Sequence, residues 1–164
     1  MNPEMKTINY RGGMVAFELP SEWKDEYEAE GGGTFYQDKP NSGTLRLNVL
    51  SFAREEAKAP HQVVRDVFGA DGYEMLPCGF AMRHGMKTGE EQGTQLHLHR
   101  WEVLIPLTPT SIRLVCFTHT LLASQEGTEL AKHELGIVDS LVRTARFSTT
   151  PGALPKRPWW QFWK

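Results

Sequence analysis

The sequence predicts an α+β fold in which a single antiparallel β-sheet of about six or seven strands carries two main α-helices. Three observations predict this class. Apolar and polar residues alternate along several stretches, as they do in half-buried strands. Short turn-forming segments join consecutive stretches, so the neighbouring strands are expected to be antiparallel. Two other stretches repeat apolar residues at helical spacing, and such a stripe needs a sheet to cover. The length of 164 residues suits one domain with one core.

The first two elements are predicted hairpins. Residues 6–19 contain two alternating arms around Gly12 and Gly13, which supply the positive φ angles of a tight turn. A proline directly after them ends the second arm. Residues 33–37 and 43–52 form the second hairpin around the turn-forming cluster Asp-Lys-Pro-Asn-Ser.

Two helices are predicted from their apolar stripes. The first begins at Pro60 and ends before Gly69. The second covers residues 128–147 and has Thr128 as its N-cap. Gly136 weakens the middle of this helix, and we interpret it as allowing close packing on the sheet.

The clearest strands lie between the two helices. Residues 94–107 and 111–122 alternate strongly and form a third hairpin. Residues 78–86 are predicted as a further strand and residues 87–93 as a loop.

The end of the chain differs from the rest. Residues 148–164 are predicted as a Pro-rich linker and an aromatic-cationic tail, attached to a domain of residues 1–147. Three destinations stay open for the tail: a groove on its own domain, another protein, or a membrane surface. The candidate partner-binding residues of the tail are Trp159, Trp160, Phe162, Trp163, Lys156 and Arg157.

Charge, hydropathy and cysteine content exclude several classes. The formal net charge of −2 gives no general attraction to nucleic acid. No run approaches the ~20 apolar residues of a membrane span, and no signal peptide is evident. Two cysteines do not make a disulfide framework, so we expect a cytoplasmic protein with reduced thiols.

The acidic stretch from Glu18 to Glu30 is interpreted as a solvated face or as a docking patch for a basic partner, such as the tail.

Phe17, Leu19, Pro20 and Trp23 form a short phrase near the first strand's end. This phrase and the order of the elements over residues 6–147 resemble the PsbP/Mog1-like superfamily, and in particular its bacterial DcrB-like branch. Members are mostly non-enzymatic. They include a lumenal subunit of the oxygen-evolving complex, a binder of the GTPase Ran, and chaperones that hold transmembrane segments of type VI secretion effectors. The resemblance therefore implies a protein-binding role.

His97 and His99 are the candidate metal ligands. In a strand they point to the same face, as two ligands of a zinc site can. The predicted register pairs Ile105 with Ile112, which turns His119 toward the opposite face and leaves threonines across from the two histidines. The alternative interpretation is a pair of half-exposed strand histidines.

No catalytic motif accompanies the remaining candidates. Cys78 and His84 invite a thiol-nucleophile hypothesis, but no helix start and no third orienting group follow them. Cys116, Trp23 and Trp101 are predicted core residues. We therefore expect a non-catalytic protein-binding module or adaptor without a cofactor, and, as the alternative, a small metal-binding protein or enzyme that uses the histidine face.

Overall fold

The computed structural model describes residues 3–151 and shows the predicted α+β class, with two α-helices and antiparallel sheets. The elements are β1 Met5–Tyr10, β2 Val15–Pro20, β3 Lys24–Tyr27, β4 Gly33–Tyr36, β5 Thr44–Ala53, α1 Pro60–Phe68, β6 Glu74–Met75, β7 Ala81–Glu91, β8 Thr94–Thr108, β9 Ser111–Leu122, α2 Glu129–Thr144 and β10 Arg146–Phe147. Neither helix of this described part combines the length and hydropathy needed to cross a membrane.

The strands form two sheets, whereas a single sheet was predicted. The larger sheet has seven strands in the order β3-β4-β5-β9-β8-β7-β6, and the smaller has the order β1-β2-β10. The chain turns at Pro20, whose carbonyl accepts a hydrogen bond from the Trp23 amide at 3.0 Å. This turn takes the chain out of the small sheet before β3 begins, so the first hairpin does not join the large sheet.

The large sheet has two unlike faces. One face packs against α2 and the small sheet, and there the ring of Phe17 lies edge-on to the rings of Phe35 and Phe117, with centroids 5.4 and 5.7 Å apart. The other face packs against α1, which buries Val63 and Val64 over one end of the strands. The remaining half of this second face is lined by polar side chains.

The second helix is shorter than predicted. It ends at Thr144, because Ala145 is extended and residues 146–147 pair with β2 as strand β10. The N-cap prediction is confirmed, since the Thr128 hydroxyl accepts a hydrogen bond from the Ala131 amide at 3.2 Å. The interpretation of Gly136 is wrong: this residue is exposed, and a Cβ added there meets nothing within 4 Å.

The segment predicted as a loop at residues 87–93 is mostly strand. β7 continues to Glu91, and only Gln92 and Gly93 form the turn to β8, both with positive φ (51° and 81°). A two-residue turn of this kind matches the twist of the strands beside it, so it allows a long hairpin.

The predicted register of the β8–β9 hairpin is wrong by one residue. Ile105 pairs with Arg113, because the hairpin closes at Thr108 and Ser111 and a bulge lies between Pro106 and Thr108. His99 consequently lies opposite His119, and directly opposed residues share a face of the sheet.

Candidate functional site

An apolar groove lies beside α1, where this helix meets the large sheet. Its volume is about 250 Å³. The mouth carries Met75, which is 58% exposed although it is a large apolar residue. The residues that line the groove come from α1, from β6 to β8 and from the loops on either side of β6: Pro60, His61, Val64, Tyr73, Met75, Gly79, Phe80, Ala81, Leu104 and Pro106.

Local sequence explains the shape of this groove. Pro60 starts α1 without losing a hydrogen bond, because the first amides of a helix have no partner inside it. The β6 strand is only two residues long, and the tight turn that follows it closes on a hydrogen bond from the Gly79 amide to the Leu76 carbonyl (2.9 Å). Met75 at the end of this short strand is largely exposed, and Phe80 follows the turn, so both side chains line the groove.

The groove adjoins the point where the chain leaves the domain. The Phe80 ring is edge-on to the ring of Phe147 in β10, with centroids 6.2 Å apart. Directly after β10, the buried Arg113 donates hydrogen bonds to the carbonyls of Ser148 (2.7 Å) and Thr150 (3.0 Å). The root of the predicted linker is therefore fastened on the α2 face of the large sheet, and it meets the groove through the contact between Phe147 and Phe80.

The tail itself lies outside the described residues. The candidate partner-binding residues Trp159, Trp160, Phe162, Trp163, Lys156 and Arg157 all belong to this part. Their proposed role stays a prediction.

Several carboxylates of the acidic stretch Glu18–Glu30 form contacts within their own domain. Asp25 pairs with Lys6 at 2.8 Å, which lowers the pKa of that carboxyl from its ordinary value. Glu26 accepts a hydrogen bond from the Tyr36 hydroxyl and Glu18 one from Thr7.

His97 and His99 lie on one face of β8, as predicted, and both contact the same carboxylate. Nδ1 of His97 and Nε2 of His99 each lie 3.1 Å from Oε2 of Glu126, which belongs to the segment between β9 and α2. The hydrogen bond with His99, followed by that with His97, lowers the pKa of Glu126. Within residues 3–151, no group of three or more His, Cys, Asp or Glu side chains is arranged to hold a metal ion.

A series of aromatic and polar contacts leads from these histidines toward α2. The His84 ring stacks on buried Trp101, with centroids 4.4 Å apart and planes inclined by 13°. The Trp101 indole donates to Asp139 of α2 at 3.0 Å, and Asp139 accepts from Arg143 at 2.8 Å. Arg143 also holds Glu74 of β6 through two hydrogen bonds of 2.9 Å. The Trp101 indole and the Arg143 guanidinium both have acceptors, so these contacts join β6, β8 and α2 as a structural network.

The cysteine hypothesis gains no support from the geometry. Cys78 is exposed in the loop after β6, while His84 is engaged with Trp101. Cys116 is buried as predicted, and burial raises the pKa of its thiol to about 11, which keeps it protonated and unreactive at neutral pH. Trp23 and Trp101 are core residues, as predicted.

The groove residues were missed by sequence reasoning because they are separated along the chain. They come from α1 and from the irregular region before β7, and no periodic pattern connects the two. The available signal was the presence of Tyr73, Met75 and Phe80 in a stretch without clear alternation, since large apolar residues outside regular patterns often line a surface site.

Comparisons with known proteins establish the fold and no family. No protein-family model matches the chain, and no curated protein matches it. A solved structure from Bacteroides thetaiotaomicron VPI-5482 is similar with a TM-score of 0.56 and 18% identity, over 93% of this chain and 51% of that one. This chain thus spans about half the length of the Bacteroides protein.

A second solved structure is LpqN of Mycobacterium tuberculosis, a protein involved in cell envelope biogenesis. Its TM-score is 0.57 at 11% identity, and the match covers 87% of this chain and 89% of LpqN. At these identities the likeness shows a related fold alone, because one fold serves many functions.

Proposed function

We propose that the protein is a non-catalytic protein-binding module that buries an apolar segment of a partner protein in the groove beside α1. The observation that carries this proposal is the apolar groove itself, with Met75 more than half exposed at its mouth. A large apolar side chain gains about 25 cal/mol for each Å² of surface that a partner removes from water. The groove therefore offers a place where a single anchoring side chain contributes much of the binding energy.

The aromatic tail supplies a second anchor in this proposal. Phe147, directly before the residues that Arg113 fastens (Ser148 and Thr150), contacts Phe80 in the wall of the groove. A tail that starts at this point can contact the partner protein that the groove holds. Two linked contacts with one partner raise the overall affinity. Contact of the tail with a membrane surface is the alternative outcome.

We also propose the finer identity suggested by the sequence: a PsbP/Mog1-like domain of the DcrB-like branch that works in the cytoplasm. The support is the α+β architecture, with the Phe17 and Trp23 of the family phrase in its core, and two free cysteines. A chaperone that holds hydrophobic segments, as type VI secretion effector chaperones do, is the concrete form of this proposal.

Affinity capture from the native host with matched variants tests the function. Met75→Glu places a charge in the groove, whereas Met86→Glu alters a methionine of similar exposure (48%) that does not line it. We expect the wild-type chain and Met86→Glu to retain the same specific partner and Met75→Glu to lose it, with residues 1–151 alone binding more weakly. Equal capture by all four proteins would overturn the proposal.

The metal-protein alternative is tested by elemental analysis of protein purified without a histidine tag. Stoichiometric zinc that disappears in a His97→Ala/His99→Ala variant would show a metal site beside Glu126. That result would overturn the binding-module proposal.

A further inference from the structure

A second cavity, distinct from the groove, lies on the half of the large sheet that α1 leaves uncovered. Its volume is about 440 Å³, which falls within the range of small-molecule sites in proteins. The floor is formed by neighbouring strands, on which Arg100 of β8 and Asn48 of β5 flank Thr118 and Cys116 of β9. The wall opposite is the loop between β3 and β4, together with Arg11.

Arg100 has hydrogen-bonding capacity that the protein does not use. Its Nε is buried without a partner among residues 3–151. Its Nη2 makes only long contacts, 3.8 Å to Sγ of Cys116 and 3.8 Å to Oε2 of Glu102. Glu102 is held instead by Arg83, at 3.0 and 3.3 Å. A guanidinium in such a position is suited to hold a carboxylate through two parallel hydrogen bonds.

The opposite wall carries negative charge. Glu28 and Glu30 line the cavity, and neither forms an ion pair within the described part of the chain. The position of their loop is fixed, because the Gly32 amide donates to the Tyr10 hydroxyl at 2.8 Å and the Gly31 amide to the Glu28 carbonyl at 3.0 Å. Arg11, also in this wall, balances one of the two carboxylates. The wall is thus net negative and the floor is positive.

We propose that this cavity binds a small zwitterion of the α-amino acid type. Arg100 holds the carboxylate on the floor, and Glu28 and Glu30 hold the ammonium group at the wall. Leu50 and Cys116 provide an apolar surface for the ligand's side chain, while Asn48 and Thr118 provide polar partners beside the carboxylate. A simple anion fits less well, because the glutamates repel it, and a simple cation is repelled by the two arginines.

Titration calorimetry of the full chain with a panel of free amino acids tests this site. We expect saturable binding of at least one amino acid, and at least tenfold weaker binding of its N-acetyl and its carboxyl-amide derivatives. Arg100→Gln is expected to weaken binding at least tenfold. Lys87→Gln is the control, since Lys87 is an exposed cation on the same face of the sheet that does not line the cavity, and it is expected to bind like the wild type.

A further variant keeps the test decisive if Arg100→Gln does not fold. Glu28→Gln/Glu30→Gln alters only exposed loop residues, and we expect it to abolish the preference for the free amino acid over its N-acetyl derivative. Three results would overturn the proposal. The first is that no free amino acid binds saturably. The second is that the wild type binds the N-acetyl derivative as tightly as the free amino acid, and the third is that the glutamate double variant binds the free amino acid with unchanged affinity.

Discussion

At the scale of single residues, the most consequential group is the buried carboxylate of Glu134 in α2. It accepts hydrogen bonds from Gln37 (2.7 Å), Ser42 (2.6 Å) and the Gly43 amide (2.8 Å), and it lies 3.4 Å from Nε2 of buried His119. One side chain thereby fastens the loop between β4 and β5 to the helix. Burial alone would raise the pKa of Glu134, but the interactions with His119, Ser42, Gly43 and Gln37 lower it to about 2.

This low pKa gives the stability of the protein a specific acid dependence. A carboxyl whose pKa is depressed in the folded state stabilises above its unfolded pKa and loses that contribution as the pH falls through the folded pKa. The window therefore runs from about pH 4.5 down to about pH 2. We expect Glu134→Gln to lower the free energy of unfolding by about 3 kcal/mol at pH 7 and by much less near pH 2. Urea titrations of both proteins at the two pH values measure this, and an equal difference at both would contradict it.

Two glycines provide a paired test of packing. A Cβ at Gly43 would lie 2.5 Å from Nε2 of His119 and 2.8 Å from the Thr120 carbonyl oxygen, so Gly43→Ala is expected to destabilise the fold by about 2 kcal/mol. Gly136→Ala adds its methyl group to open space on α2 and is expected to stabilise by about 0.5–1 kcal/mol. Thermal unfolding of the two variants measures both effects. A loss of stability in Gly136→Ala would show that the glycine has a packing role after all.

The sequence predicted residue burial well where a periodic pattern carried the information. Trp101 alternates with Val103 and Ile105 and was placed correctly, as was Cys116. The burial of Glu134 could not be predicted, because its three hydrogen-bond donors lie more than ninety positions away and no local pattern records them. A polar residue is buried only when distant donors satisfy it, and that condition is visible only in the folded chain.

At the scale of elements, alternation predicted the strands of three hairpins and their pairing, but not the register of the longest hairpin. The β8–β9 hairpin was identified, yet one bulged residue near Pro106 displaced the predicted register. A shift of one residue moves a side chain to the other face, so His119 joins the α2 face and meets Glu134. The helix predicted through Phe147 stops early because β2 offers residues 146–147 a strand partner, which is again a distant contact.

The end of the chain is expected to divide into a structural and a binding segment. Removing residues 152–164 leaves Arg113 with its carbonyl acceptors, so the unfolding midpoint is expected to stay unchanged while partner or liposome association is weakened. Removing residues 146–164 also deletes β10 and leaves the Arg113 side chain buried without acceptors, at a cost of about 3 kcal/mol or more. Thermal unfolding and a binding assay on both truncations test this division. A large loss of stability in the shorter deletion without loss of binding would show that the tail belongs to the core.

At the scale of the whole molecule, the predicted fold class is confirmed, while the division into two sheets was not foreseen. Hairpins indicate which strands are neighbours in sequence order, but the pairing of β2 with β10 joins strands that are far apart in the sequence. The groove arises from the same long-range arrangement, since α1 has to lie across β8 before Tyr73 and Phe80 can form its wall. Sequence reasoning therefore suggested a binding protein, with the partner held against the sheet or by the tail, but it named binding residues only in the tail.

The most direct test of the binding-module proposal is site-specific photocrosslinking in the native host. A photoreactive amino acid is placed at Met75, in the groove, or at Met86, which is similarly exposed outside it. We predict that the Met75 position yields a discrete adduct that maps to an apolar segment of another protein, and that the Met86 position does not. Equal adducts at both positions, or a Met75 adduct that maps only to residues 152–164 of the same chain, would contradict the proposal.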